Sequence, residues 1–119
     1  MDQEKIHEGF LGIATKGKVY TFNDHEEYNI YEPTSYSGLM ALFEEFELKS
    51  TDKLVDFGCG LGRVLFYCNQ RFLCRVTGIE ADKELYQKLL DNKAYYSNRF
   101  RERRDEIEVL CGNAVLYDI

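Results

Sequence analysis

The 119-residue chain has no apolar run approaching the length of a membrane span. Its first residues, Met1-Asp2-Gln3-Glu4-Lys5, are not a signal peptide. Both absences point to a soluble, cytoplasmic globule with no membrane partner, and 45% hydrophobic and 30% charged residues are ordinary for one. Positive charge is in short supply: 15 Lys and Arg face 21 Asp and Glu, a formal net charge of −6. That deficit argues against a phosphate-dominated nucleic-acid surface here. There are only two histidines, His7 and His25, and neither has a cysteine or an ordered carboxylate partner nearby in sequence. The four cysteines, Cys59, Cys68, Cys74 and Cys111, match no zinc spacing and no Cys-x-x-Cys pair. No metal site is expected, and the cysteines read as buried, reduced thiols. There is no internal repeat and no low-complexity segment. The length suits one domain with a modest core.

What is present is concentrated in Leu54-Val55-Asp56-Phe57-Gly58-Cys59-Gly60-Leu61-Gly62-Arg63. A short apolar run ends in an acid, three glycines alternate, and a helical pattern follows. This predicts a strand entering a tight Gly-rich turn at a helix N-terminus, where a nucleotide-like ligand can lie against bare backbone. The spacing departs from G-x-G-x-x-G, which would put glycine at Arg63. Asp56 just before the turn would repel a pyrophosphate but could accept from an ammonium group.

The stretch resembles the first motif of class I S-adenosylmethionine-dependent methyltransferases: apolar strand, acid, then G-x-G-x-G. Two further segments support the resemblance. Val76-Thr77-Gly78-Ile79-Glu80 ends a second apolar run in an acid, and Ile107-Glu108-Val109-Leu110-Cys111 is a third strand-like run followed by Gly112-Asn113-Ala114. The family usually has Gly-Asp-Ala there, facing the adenine. The asparagine departs from that pattern, yet its side-chain carbonyl can still accept from the adenine amino group. The resemblance implies S-adenosylmethionine as cofactor and assigns roles. Gly58 and Gly60 let backbone approach the methionine moiety, and Gly62 lets the helix pack close to the strand. Asp56 accepts from the ammonium group or from water around it, Glu80 takes the ribose hydroxyls, Ala81 touches the adenine ring, and Asn113 and Ala114 lie near it. Cys59 would line the pocket without chemistry of its own. Tyr36, leading a helix before the first strand, is a candidate wall or hydrogen-bond donor; packing of the helix start is the alternative. No residue is a persuasive acceptor-side base, so the catalytic residues and the methyl acceptor stay unassigned.

Elsewhere the pattern is coarser. Residues 1–30 form an N-terminal extension in which Leu11–Thr15 and Val19–Phe22, flanking Lys16-Gly17-Lys18, predict a hairpin. Leu39, Leu42, Phe43 and Phe46 make a core-facing helical stripe, capped by Thr34 or Ser35. Val64, Leu65, Cys68 and Phe72 mark the next helix. Asp82 caps another, with Leu85, Leu89 and Tyr96 on its buried face and a solvated Arg99–Arg104 run at its end. The order β-α-β-α-β predicts a three-stranded parallel sheet. The expected fold is α/β, a partial Rossmann-like methyltransferase fold of strand order 3-2-1 with flanking helices and an N-terminal hairpin/helix extension. Residues 31–119 read as the cofactor-binding half of a methyltransferase domain, cut short after strand 3. An uncovered first strand or sheet face then invites a homodimer. Two other classes stay open: a non-catalytic S-adenosylmethionine-binding module and a nucleotide-dependent oxidoreductase.

Overall fold

In the computed structural model, which describes residues 2–16, 19–22 and 28–113, the chain order is α1 (Gln3–Leu11), β1 (Val19–Phe22), β2 (Tyr28–Tyr31), α2 (Tyr36–Glu45), β3 (Lys53–Phe57), α3 (Arg63–Phe72), β4 (Arg75–Glu80), α4 (Lys83–Arg99), a 3-10 helix (Arg101–Glu106) and β5 (Ile107–Cys111). The loop centre Gly17-Lys18, the polar segment 23–27 with His25, and Ala114 lie outside the described residues.

Strands β3, β4 and β5 lie side by side in that order, all parallel. This is the expected 3-2-1 arrangement. The register sets Asp56 opposite Gly78, and Glu80 opposite Cys111. The carboxyl ends of all three strands therefore meet at one rim. Both crossovers run in the same direction, so the usual right hand puts α3 and α4 on one face of the sheet. The two helices touch there: the Phe66 and Tyr96 rings are 4.9 Å apart. Helix α2 packs beside α3 through Phe43, whose ring lies 5.6 Å from that of Phe72. The core is built from Leu65, Phe66, Cys68, Val76, Leu89 and Tyr96, all essentially without solvent contact.

The helices begin where the sequence places side-chain acceptors for their orphan N–H groups. Ser35 Oγ accepts from Gly38 N–H, and Asp82 Oδ1 from Leu85 N–H. Asp2 Oδ1 does the same for Glu4 N–H in α1, and Gly12, in the left-handed region at φ 73°, ends that helix.

Three expectations are corrected. The hairpin exists, but its strands are β1 and β2, paired antiparallel from Val19↔Tyr31 to Phe22↔Tyr28. Residues 11–15 do alternate, with Leu11, Ile13 and Thr15 buried, but among the described residues no strand pairs with them. Asn92 replaces one: its side-chain amide both accepts from Ala14 N–H and donates to the Ala14 carbonyl. In α2 only part of the predicted stripe is buried. Leu39 and Phe43 face the core, whereas Leu42 and Phe46 are 47% and 64% exposed, because α3 covers only one side of that helix. Finally, Cys59, Cys68 and Cys74 are buried free thiols, but Cys111 is exposed at the rim.

Candidate functional site

The strand β3 leads into a turn in which Gly58, Gly60 and Gly62 all have positive φ (78°, 57° and 94°). Two of these positions show different reasons for glycine. At Gly58 the reason is the positive φ alone, because a Cβ there would meet nothing within 4 Å and would face open space. A Cβ at Gly62 would lie 2.5 Å from the Phe66 ring and 2.7 Å from Leu89. Gly62 thus allows close packing of the helix start against α4, and not, as expected, against the strand. The turn hangs on the end of β4. Gly58 N–H and Cys59 N–H both donate to the Ile79 carbonyl, at 2.7 and 3.2 Å, and Gly60 N–H donates to Glu80 Oε1 at 2.8 Å.

Beside the turn lies a cleft of about 470 Å³, lined in part by Asp56, Gly58, Cys59, Gly60, Glu80 and Ala81. Six of the sequence-predicted residues are therefore brought together. Glu80 is buried, and its second oxygen accepts from Asp82 N–H at 2.9 Å. Two backbone donors fix the orientation of its carboxylate. An ionised carboxylate has about four acceptor sites, so it keeps capacity for two hydroxyls. Burial, and then repulsion from Glu80, pushes the Asp56 carboxyl above its ordinary range. Burial, followed by the charges of Asp56 and Glu80, likewise raises the Cys59 thiol far out of the range of a reactive thiolate.

The remaining predicted residues lie elsewhere. Tyr36 does not line the cleft. It is wholly buried, stacked on the His7 ring at 4.7 Å, and its hydroxyl donates to Glu8 Oε2 at 2.6 Å. Its aromatic ring packs the start of α2, which is the alternative the sequence left open. Asn113 is exposed and outside the cleft lining, although Gly112 N–H ties this end of β5 to the Glu80 carbonyl at 3.1 Å. Sequence reasoning missed Arg63, Val64, Leu85 and the segment Glu32-Pro33-Thr34, all of which line the cleft. Asp82, read only as a cap, lines it too. One signal was available: an arginine at the first position of a helix opposes the macrodipole and asks for a reason.

The charges select among ligands. Glu32, Asp56, Glu80 and Asp82 face a cleft whose one cation among the described residues, Arg63, is already paired with Glu4 and Glu8. Such a lining opposes a pyrophosphate and favours a cationic ligand. An open parallel sheet with a Gly-rich turn after one strand and an acid ending the next is the frame of α/β proteins that bind nucleoside cofactors.

No family model matches the sequence. Among solved structures, the chain is similar to an RNA methyltransferase from Salinibacter ruber in complex with S-adenosyl-L-homocysteine. The TM-score is 0.63 and the identity 27%, covering 74% of this chain and 54% of that one. The glycopeptide N-methyltransferase MtfA, complexed with S-adenosylmethionine, shares the fold at a TM-score of 0.53 and 16% identity, over 68% of this chain and 31% of that one. A histone-lysine N-methyltransferase, H3 lysine-79 specific, of Dictyostelium discoideum is 49% identical over 39 residues, which are 33% of this chain and 2% of that protein. Topology, turn and likenesses show the partial Rossmann-like α/β fold that these S-adenosylmethionine-dependent methyltransferases share. The chain spans about half the length of the Salinibacter structure.

Proposed function

We propose that this chain binds S-adenosylmethionine in the Gly-rich cleft and forms the donor half of a methyltransferase whose acceptor-side groups lie in the rest of the enzyme. The observation that carries the reading is the pairing of Glu80 with the open backbone at Gly58 on one cleft, in an acidic lining. The cofactor supplies a methyl group on a sulfonium that leaves a neutral thioether. The chain's own residues bind and orient. Glu80, held by Gly60 and Asp82 N–H, presents its remaining acceptor sites to ribose hydroxyls. Asp56 and its acidic neighbours favour the ammonium and sulfonium charges. Gly58 leaves space for the methionine moiety, and Ala81 lies on the same lining for the adenine ring. The buried, protonated Cys59 thiol takes no part in the chemistry.

Calorimetric titration of the chain with S-adenosylmethionine and with NAD tests the reading, and binding of the first alone is expected. Glu80→Ala removes hydrogen bonds to a charged acceptor, which cost on the order of 1.5–3 kcal/mol each. Its affinity should fall by roughly tenfold to a hundredfold or more. Because Glu80 also holds Gly60 and Asp82, the variant's melting curve must be recorded beside the titration. An equal affinity in wild type and a folded variant would remove Glu80 from the site. Tight NAD binding would turn the reading towards an oxidoreductase.

A further inference from the structure

Arg63 is the first residue of α3, where its charge opposes the helix dipole, and it is only 2% exposed. A guanidinium so buried persists when it is paired. Its partners come from three separate segments. Nη1 donates to Glu4 Oε1 at 2.6 Å and to the Thr34 carbonyl at 3.1 Å. Nε donates to Thr15 Oγ1 at 2.7 Å, and Nη2 forms an ion pair with Glu8 Oε1 at 3.6 Å. The guanidinium carbon sits 4.2 Å from the centre of the Tyr36 ring. The two acids are themselves fixed. Glu4 accepts from Tyr36 N–H at 2.8 Å, while Glu8 accepts from Thr15 N–H at 2.5 Å and the Tyr36 hydroxyl at 2.6 Å.

Thr34 is the partner that gives the cluster a function. Glu32, Pro33 and Thr34 line the cleft and lie in the link between β2 and α2, outside any helix or strand. The Arg63 bond ties this wall to the start of α3. The wall carrying Glu80 is tied separately, through Gly60. Two carboxylates already face one guanidinium, so the cluster has no surplus positive charge for an anionic ligand. Its effect is on placement.

We infer that Arg63, held by Glu4 and Glu8 of the N-terminal helix, is a positioning residue that latches the Glu32–Thr34 wall over the amino-acid end of the methyl donor. The inference rests on the donor reading above. With Glu80 assigned to the ribose, the wall that Glu80 does not carry is left to face the rest of the donor. The N-terminal helix then acts on the site without touching it.

The test is an NMR titration of the whole chain, as wild type, Glu4→Ala and Arg63→Lys, with S-adenosylhomocysteine and with adenosine, which lacks the amino-acid end. In the wild type, S-adenosylhomocysteine should shift the amide signals of both Gly60 and Thr34, and adenosine that of Gly60 alone. Each variant should bind S-adenosylhomocysteine roughly tenfold more weakly, the scale of one lost charge-assisted hydrogen bond, and adenosine as the wild type does. The Thr34 response should vanish while that of Gly60 remains. Lysine keeps the charge but cannot reproduce the guanidinium fork. If Arg63→Lys fails to fold, Glu4→Ala decides, because Glu4 is 31% exposed and Glu8 still balances Arg63. Equal weakening of both probes, or full S-adenosylhomocysteine affinity in a folded variant, overturns the latch. So does a wild-type Thr34 amide that the ligand leaves unmoved. A wild type that binds neither probe overturns the donor reading, and the latch with it.

Discussion

Asp56 lines the cleft next to Glu80, half-buried, with no hydrogen bond to its carboxylate among the described residues. Its pKa in the folded chain lies above the ordinary 3.8, through burial and then through Glu80. The sign of the consequence follows from proton counting. As pH rises from about 3.8 through the raised folded value, the unfolded chain has already lost the proton that the folded chain still holds, so stability falls. Asp56→Asn should therefore be more stable than the wild type at pH 7, by about 0.5–2 kcal/mol as for other relieved functional sites, and should bind S-adenosylmethionine more weakly. Urea melts at pH 4 and pH 7 check this: the gap between variant and wild type should widen with pH, and a variant less stable at pH 7 would refute it. The cysteines give a second test at this scale. Of the four thiols only Cys111 is exposed. A thiol reagent should label one cysteine in the folded chain, at Cys111, and the other three on unfolding. Rapid labelling of Cys59 would contradict its burial.

Among elements, β4 is shaped by what crosses it. A Cβ at Gly78 would fall 2.7 Å from Cys59 Sγ and closer still to Leu65. Glycine in mid-strand is a known sign of close approach. The approach here is the first residue of the turn beyond Gly58 and a buried side chain of α3. Gly78→Ala should cost about 1–3 kcal/mol, the scale of an overpacked core, as read from denaturant melts, with an unchanged melting curve as the contrary result. The extended segment after α1 depends on Asn92. This fully buried amide exchanges two hydrogen bonds with Ala14 and donates a third to the Leu61 carbonyl in the Gly-rich turn, at 2.9 Å. Asn92→Ala would strand the buried Leu61 carbonyl, at a cost of about 1–3 kcal/mol, and leave the Ala14 groups to water. Hydrogen exchange should then speed up at Ala14 first. Protection at Ala14 equal to the wild type would show that another group holds it.

For the whole molecule, the open question is the outer edge of β3. This strand pairs only with β4 among the described residues, and Phe57 on it is 45% exposed. The N-terminal strand β1 does not pair with that edge; it pairs with β2 in a sheet of its own. Unpaired strand edges recruit other chains, and two-fold closure is the commonest outcome. We therefore expect the 119-residue chain to self-associate through β3 or the neighbouring sheet face. Light scattering over a concentration series should show a mass rising towards twice that of the monomer, and Phe57→Lys should shift it back. A constant monomeric mass would refute the dimer. Among the described residues no helix is long and apolar enough to cross a membrane.

Local chemistry determined the parts of this protein that read correctly from sequence alone. A short apolar run closed by an acid, glycines where φ must be positive, and Ser35 or Asp82 before a helical stripe each act within a few residues. The three parallel strands, the turn, the two caps and the placement of Asp56 and Glu80 at neighbouring strand ends were legible for that reason. Residues whose role depends on a distant partner were not. Alternation at residues 11–15 looked like a strand because the pattern reports burial and cannot tell a neighbouring strand from the amide of Asn92. Tyr36 stayed open between a cleft wall and a packing residue because sequence places it at a helix start without saying which way the ring turns. Only the tertiary structure could show that Arg63 gathers Glu4, Glu8, Thr15 and Thr34. A buried charge is satisfied through space, by groups whose separation along the chain carries no trace of the contact.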